Sequence, residues 1–356
     1  MPGPRPTLRD VADRAGVSAS TASVVFSGRA PVAAATADRV RAAAAELGYA
    51  GPDPRASSLR RGRAGAVGVL VEGRLLHAFR DPFAVAVLDG LAQELDAIPT
   101  GMLLLAQPAD DRRLLAQVAD LALDALVFSM CGPAESPLVN HAAARHIPLV
   151  GTGSPLDPRV HQVRIDERAA QASAVEHLWR LGHRRIAHVT MPLARGAAAE
   201  ARRLGPGELG RADFVDARLR AEGFLARAGR SAAVVEAPTA DVDGGRAAAR
   251  VLLASEPARR PTAIVAQSDL LAAGVLQAAS ARGLRVPEDL SVTGLDGLDL
   301  PWLDRPLTTV DQHGEDKGRA LGRMVAALLA GEAVRDVLLP TDLREGATTA
   351  PAPPGR

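Results

Sequence analysis

Cysteine is almost absent: Cys131 is the only one in 356 residues. An intrachain disulfide and a cysteine zinc cage are both excluded, and a reducing cytoplasm is the expected compartment. Lysine is as rare, with Lys317 alone against 41 arginines, so a phosphate-cradling Gly-Lys loop has no lysine to use. Aromatic residues make up only 3% of the chain. Long apolar runs are missing too. Stretches such as Ala66–Val71 and Ala122–Phe128 are far too short to span a bilayer, and Met1–Arg9 holds no apolar signal core. What remains is ordinary globular composition, 47% apolar and 23% charged, at a length that suits two or three domains.

Charge is unevenly placed. Through Arg63 ten arginines face five carboxylates, while the whole chain carries a net charge of only +1. A small basic head on a slightly acidic body fits a head that meets a polyanion.

Three short helices are expected in that head. Thr7 can cap the first and Asp10 can close a capping box. Leu8, Val11, Ala12 and Ala15 then share one face. Gly16 fits a left-handed C-terminal cap, and Ser18 caps a second helix after only a two-residue gap. The second helix, about Ala19 to Phe26, packs Ala22 and Val25 inward. A third, Ala34 to Leu47, buries Val40, Ala44 and Leu47 and stops at Gly48. The second helix leaves Ala19, Ser20, Ser23 and Val24 outward, small and uncharged, so it can approach a major groove closely. Hydroxyls at Ser18, Thr21 and Ser23 suit phosphates, as do amides at a helix N-terminus.

From Gly65 onward short β-rich runs alternate with amphipathic segments. Val67–Val71, Met102–Leu105, Ala125–Phe128, Leu149–Val150, Ile186–Val189, Ala232–Val235, Ala263–Ala266 and Ser291–Thr293 read as strands buried on both faces. Helical patterns lie between them at Phe83–Leu95, Arg112–Leu121, Ala169–Leu181, Phe214–Ala228, Gly244–Leu253 and Leu270–Arg282. This alternation predicts parallel sheets covered by helices, an α/β fold. The pattern runs twice, with a break near Gln162–Asp166, so two lobes with a cleft at the strands' carboxyl ends are expected.

Thr7-Leu-Arg-Asp-Val-Ala-Asp-Arg-Ala-Gly-Val-Ser18, then Thr21-Ala-Ser23 and Ala45-Glu-Leu-Gly-Tyr49, resemble the signature of the LacI/GalR repressor family. The resemblance continues through Pro52–Arg63. In the body it rests on Leu181–Ile186, Arg218–Arg220 with Gly223-Phe224, Pro261–Ile264, Gly283–Ser291, Gly294–Asp296 and Pro306–Gln312. It implies a helix-turn-helix head (1–50), a hinge (51–64) and an effector-binding and dimerising body (65–346) of the type I periplasmic-binding-protein-like architecture. Residues 347–356 read as a disordered tail, and 194–211 as a flexible insertion.

The resemblance also implies roles. In that family a short hinge helix folds on the operator and a leucine wedges into the minor groove. Leu59 matches that leucine, with Ala56 one turn earlier and Arg55 nearby. Ala56–Arg60 is too short to hold as an isolated helix, and an apolar wedge flanked by arginines suits a minor groove. Three departures stand out: Val24 where many members carry arginine, Ala33 in place of a serine cap, and one extra residue between Tyr49 and Pro52. Valine offers thymine methyl contacts instead of guanine hydrogen bonds.

Effector contacts carried over by position are Arg220, Ser268, Asp296 and Gln312. A guanidinium and a carboxylate across a cleft suit a hydroxylated ligand. Phe83 and Ser129, following the first and third strands, are candidate rim residues. Two of them have a plainer alternative: a turn-capping carboxylate for Asp296, a solvated helix arginine for Arg220. Asp269 reads as the N-cap of its helix, and Trp302 either stacks on a sugar face or packs.

Nothing assembles an enzyme. His141 and His146 lie about 140° apart on a helix, poor for sharing a metal. Gly151-Thr-Gly-Ser-Pro155 matches neither a dinucleotide fingerprint nor a nucleophile elbow. The expectation is a cytoplasmic, homodimeric transcription regulator, a repressor by resemblance. It would need no cofactor or metal, bind a pseudopalindromic DNA duplex, and answer to a small molecule, a sugar by resemblance.

Overall fold

A computed structural model describes residues 6–28, 30–51, 62–108, 110–130, 132–196, 199–205 and 207–353. Two compact units divide the chain, Met1–Gly65 and Ala66–Arg356. The hinge positions Arg55, Ala56 and Leu59 lie outside the described residues.

The first unit holds α1 (Leu8–Ala15), α2 (Ala19–Ser27) and α3 (Ala34–Leu47). The Thr7–Asp10 capping box is closed at both ends, with Thr7 N–H donating to Asp10 at 2.7 Å and Asp10 N–H to Thr7 Oγ1 at 3.3 Å. Gly16 takes the left-handed conformation at φ +67° that a side chain would oppose. It turns the chain into Ser18, whose Oγ caps α2 at Thr21 N–H. Val11, Ala12, Ala22, Val40, Ala43 and Ala44 form the core, with Phe26 edge-on to Tyr49 at 5.4 Å. Leu47 is a correction: it is exposed, and Ala43, one turn back, occupies the interior instead. Leu47 is the last residue of α3, next to the Gly48 cap, and takes no part in that cluster.

The second unit begins with β1 (Ala66–Glu72), α4 (His77–Arg80), α5 (Pro82–Leu95), β2 (Gly101–Gln107), α6 (Asp111–Ala119), β3 (Ala125–Phe128), α7 (Pro137–Ala144), β4 (Leu149–Gly151) and β5 (Val160–Arg164). It continues through α8 (Glu167–Arg180), β6 (Ile186–Thr190), β7 (Arg202–Arg203), α9 (Val215–Ala228), β8 (Val234–Glu236), α10 (Val242–Leu253), β9 (Ala263–Ala266), α11 (Asp269–Ser280), β10 (Ser291–Asp296) and β11 (Thr308–Asp311). Last come α12 (Gly314–Ala330), β12 (Val337–Leu338) and β13 (Asp342–Arg344).

Two sheets result, ordered β12-β5-β4-β3-β1-β2 and β13-β11-β10-β9-β6-β8-β7. Every pairing in the first is parallel, and in the second only β13 and β7 run antiparallel. The expected parallel α/β class is therefore observed. The lobes are not simply consecutive, however. The chain crosses between sheets near Arg164–Glu167, again at Asp311–Gly314, and again between Leu338 and Asp342. Thus α12, although late in sequence, packs on α5 of the first lobe. The two helices touch backbone to backbone, because a Cβ on Gly90 would strike the Glu315 carbonyl and one on Gly318 would strike that of Val87.

The carboxyl-terminal segment is a second correction. Thr348 is fully buried; its hydroxyl donates to the Val292 carbonyl at 2.7 Å and accepts from Thr308 N–H at 2.9 Å. Ala352 N–H reaches the Leu181 carbonyl at 2.8 Å. Polar, proline-rich composition reads as a tail, but alternate residues here satisfy backbone groups of the second lobe. Within 194–211, β7 pairs with β8, and Arg202 meets Glu236 at 2.7 Å, so this segment is tied to the second sheet. Among the described residues no helix is long and apolar enough to cross a membrane.

Candidate functional site

The head presents one polar helix end. Ser18, Ala19 and Ser20 are exposed, while Thr21, Ser23 and Val24 are half-buried. The Ser18 hydroxyl lies 2.8 Å from those of both Ser20 and Thr21, so the first turn of α2 carries linked hydroxyls beside the amides of its N-terminal end. Thr7 is exposed, with its hydroxyl donated to Asp10 at 2.8 Å. This convex end, small and free of charge from Ser18 to Val24, is the geometry a major groove admits.

In the second unit the sequence candidates converge from distant positions. Arg220, on the buried face of α9, is only 3% exposed, which removes the solvated-helix alternative. Its guanidinium donates to Glu167 at 2.6 Å, to the Gln267 carbonyl at 2.8 Å and to Gln312 Oε1 at 3.5 Å. Gln312 Nε2 in turn donates to Asp296 Oδ1 at 2.7 Å, and Asp296 Oδ2 accepts from Asp269 N–H at 3.0 Å. Lys317, from the helix that crosses to the first lobe, donates to Gln312 Oε1 at 3.0 Å and lies 5.4 Å from the centre of the Phe83 ring. Phe83, Arg220, Asp296 and Gln312 therefore belong to one network spanning both lobes.

The N-cap expected at Asp269 is instead Ser268. Ser268 is the N-cap of α11, accepting from Leu271 N–H at 3.1 Å. Asp269 is not the cap. Its carboxylate accepts from the Thr309 hydroxyl at 2.5 Å and from Leu298 N–H at 2.7 Å, which pins the turn after Asp296. Ser129 stands apart: it is buried, and its hydroxyl donates to the Leu70 carbonyl at 2.8 Å inside the first sheet. Trp302 is 55% exposed on the loop beyond β10.

The electrostatics follow from burial. Asp296 is held well above the carboxylate range, first by desolvation and then by the charges of Asp269 and Asp81, with Arg220 opposing. Desolvation pushes Asp269 up to about 6 against its hydrogen bonds. Asp81, the N-cap of α5, is likewise raised by burial. At the end of β1, Glu72 is pushed up to about 7, mainly by burial, with Arg195 lowering and Asp216 raising it. Sequence reasoning missed Glu72, Asp81, Asp216 and Lys317. Asp216 alone carried a readable signal, lying four residues before Arg220 and so on the same helix face.

Behind the network, His188 stacks on Phe224 at 4.4 Å and is pushed down to about 3 by burial. Its neutral ring donates from Nδ1 to the Val265 carbonyl at 2.8 Å, and Nε2 accepts from Gln267 at 3.1 Å. That fixes Gln267, whose carbonyl receives Arg220. A cavity of about 370 Å³ lies between the lobes, lined by Ser154, Gln162 and Arg164 on one side and Glu167, Asp216 and Leu219 on the other. Its size falls within the range of small-molecule sites.

The model of the lacI family of bacterial regulatory proteins matches residues 7–51, and that of a periplasmic binding protein-like domain matches 175–349. An HTH-type transcriptional regulator of Mycobacterium tuberculosis is 34% identical over 98% of both chains. This chain belongs to the LacI family of transcriptional regulators. Among solved structures of the family, the lac repressor dimer bound to operator and the anti-inducer ONPF superposes with a TM-score of 0.74 at 26% identity, covering 98% of this chain and 100% of that one. The CelR–cellobiose complex matches with a TM-score of 0.66 at 29% identity, over 97% and 100%. As a LacI-family regulator the protein binds DNA through its helix-turn-helix and an effector through its two-lobed unit.

Proposed function

We propose that this regulator is a repressor that binds a two-fold symmetric operator as a homodimer, and that a sugar in the interlobe cleft sets its operator affinity. The observation that carries the effector assignment is the buried Lys317–Gln312–Asp296 chain with Arg220 upon it. It holds donors and acceptors side by side in a desolvated place, and neighbouring hydroxyls of a sugar can replace each of these bonds. Cellobiose in the CelR complex supports a carbohydrate class. The contacts assigned are Phe83, Arg220, Ser268, Asp296 and Gln312, with Lys317 added; Ser129 has its donor spent elsewhere.

At the DNA, Ser18, Ala19, Ser20, Thr21, Ser23 and Val24 would read or hold the major groove, Thr7 would meet backbone, and Arg55, Ala56 and Leu59 would enter the minor groove. Dimerisation follows from half-site logic, since one small head buries too little for tight specific binding. The first lobe also leaves Met102 and Leu103 exposed on its edge strand β2, and Leu75, Leu76 and Phe79 exposed around α4. An apolar open edge is a liability that a second copy would cover.

Selection of duplexes from a random pool by the full chain tests the DNA half. Recovery of a symmetric site, with binding that falls steeply with salt, is expected; recovery of no motif would overturn it. Thermal-shift screening of sugars tests the effector half, because a ligand that binds only the native state raises its melting temperature.

A further inference from the structure

The second lobe gathers arginines at the end remote from the cleft. Arg185 stands just before β6, and Arg259 and Arg260 just before β9; these two strands are paired, with Ile186 beside Ala263. Arg185 Nε donates to the Arg260 carbonyl at 3.0 Å. Arg203 of β7 and Arg282, beyond α11, both reach the carboxyl end of α10. Arg203 Nη2 donates to the Ser255 hydroxyl at 3.3 Å, and Arg282 Nη1 to the Leu253 carbonyl at 3.1 Å. Five guanidinium groups thus border the short segment 254–261. Arg260 and Gln267, the residue whose carbonyl receives Arg220, lie beyond opposite ends of β9, about 20 Å apart at the rise of an extended chain.

None of these five arginines makes an ion pair among the described residues. The one carboxylate between positions 250 and 262 is Glu256, which is exposed and likewise makes no ion pair among them. An arginine at a helix C-terminus is expected to bond the last carbonyls. That accounts for Arg203 and Arg282 but leaves Arg185, Arg259 and Arg260 unexplained. Like charges held this close repel one another. Arg260 Nε is moreover buried with no hydrogen-bond partner, and a donor left unmet in that way is unfavourable. A guanidinium has five N–H donors, so bonds from a single nitrogen fix Arg185, Arg203 and Arg282 in place while leaving most of their donors for a ligand.

We propose that this arginine group is a second ligand site, binding two or more closely spaced phosphates. Guanidinium forks match phosphate oxygens two at a time. The arginines come from neighbouring strands about 4.8 Å apart and from the helix layer beside them, a spread wider than one phosphate can meet. A chain of phosphates therefore engages more of them than orthophosphate does. Nucleotides and nucleic-acid backbones both carry this chemistry. Because the site lies at the opposite end of the strands from the effector cleft, it stands apart from the sugar reading above and survives or fails without it.

The test titrates the full chain by calorimetry with orthophosphate, tripolyphosphate and ATP, all at one ionic strength set with sodium chloride. Tripolyphosphate should bind about tenfold or more tightly than orthophosphate. Combining Arg259→Gln with Arg260→Gln should weaken tripolyphosphate binding by about tenfold or more, since each lost bond is one to a charged group. The unliganded double variant should melt no lower than wild type, because it removes like-charge repulsion; if it does not fold, Arg185→Gln carries the test. An unchanged Kd for tripolyphosphate in the variant would put the anion elsewhere, on the basic head for instance, and overturn the site. Equal affinities for tripolyphosphate and orthophosphate would overturn it too. Two further arms identify the source of the phosphates. ATP that binds as tightly as tripolyphosphate, and weakens alike in the variant, marks a free nucleotide. A random duplex whose logarithmic salt slope becomes shallower by about two in the variant, at about 0.9 for each phosphate contact, marks a nucleic-acid backbone.

Discussion

Asp296 and Glu72 show how single carboxyls are set by their surroundings. Asp296 accepts from the Asp269 amide and from Gln312, so Asp296→Ala would strand two buried donors, at roughly 1–3 kcal/mol each. The expected outcome is a less stable fold in which the sugar-induced rise in melting temperature vanishes; an undiminished rise would remove Asp296 from the site. Glu72 works differently. Its carboxyl titrates near 4.5 when unfolded and about 7 when folded, so the native state holds the proton more tightly. Its favourable contribution is present below pH 4.5 and is lost as pH rises through 7, an upper bound of about 3 kcal/mol. Glu72→Gln should therefore raise the melting temperature at pH 8 and leave it nearly unchanged at pH 4.5. Equal effects at both pH values would mean that Glu72 is not desolvated. Arg220, Asp296 and Gln312 were legible from the sequence because each sits in a motif with a fixed place in its family. Glu72 and Lys317 were not, because what makes them notable is burial against residues more than a hundred positions away.

At the scale of elements, the caps and alternating patterns were readable because they are local: Thr7, Gly16 and Ser18 each act within four residues. Strands β5 and β11 escaped, since Val160–Arg164 and Thr308–Asp311 are short and partly polar, and only their neighbours in the sheet make them strands. The packing of α5 on α12 is likewise invisible in periodicity. Gly90 and Gly318 allow their backbones to touch, so Gly90→Ala should destabilise the protein by about 1–3 kcal/mol or more through overpacking, seen as a shifted midpoint in urea; an unshifted midpoint would show that the helices can slide apart. Thr348→Val keeps the shape of a buried side chain but strands Thr308 N–H and the Val292 carbonyl. A loss of roughly 1–3 kcal/mol is expected, whereas a tail that did not pack would tolerate the change.

For the whole molecule, function requires that a cleft in one unit be felt by a DNA-reading end in another. Three chain crossings link the lobes, one of them at His313, whose φ of +52° is unusual for a side-chain-bearing residue and marks a constrained joint. A sugar bound as proposed, bridging Lys317 and Phe83 on one lobe to Arg220 and Asp296 on the other, would favour one mutual arrangement of the lobes by its differential affinity, and by nothing else. Linkage then demands reciprocity: the factor by which sugar changes operator affinity equals the factor by which operator changes sugar affinity. We propose that this coupling passes through the segment between the units. Leu59, which lies outside the described residues, matches the family's minor-groove leucine, and an apolar wedge there would insert between bases. Leu59→Ala is therefore expected to weaken operator binding by about tenfold or more and to shrink the sugar's effect on what binding remains, while the Kd for sugar in the absence of DNA stays at the wild-type value. Wild-type operator affinity and an undiminished sugar response in that variant, measured on the same symmetric duplex, would place the coupling somewhere other than the hinge.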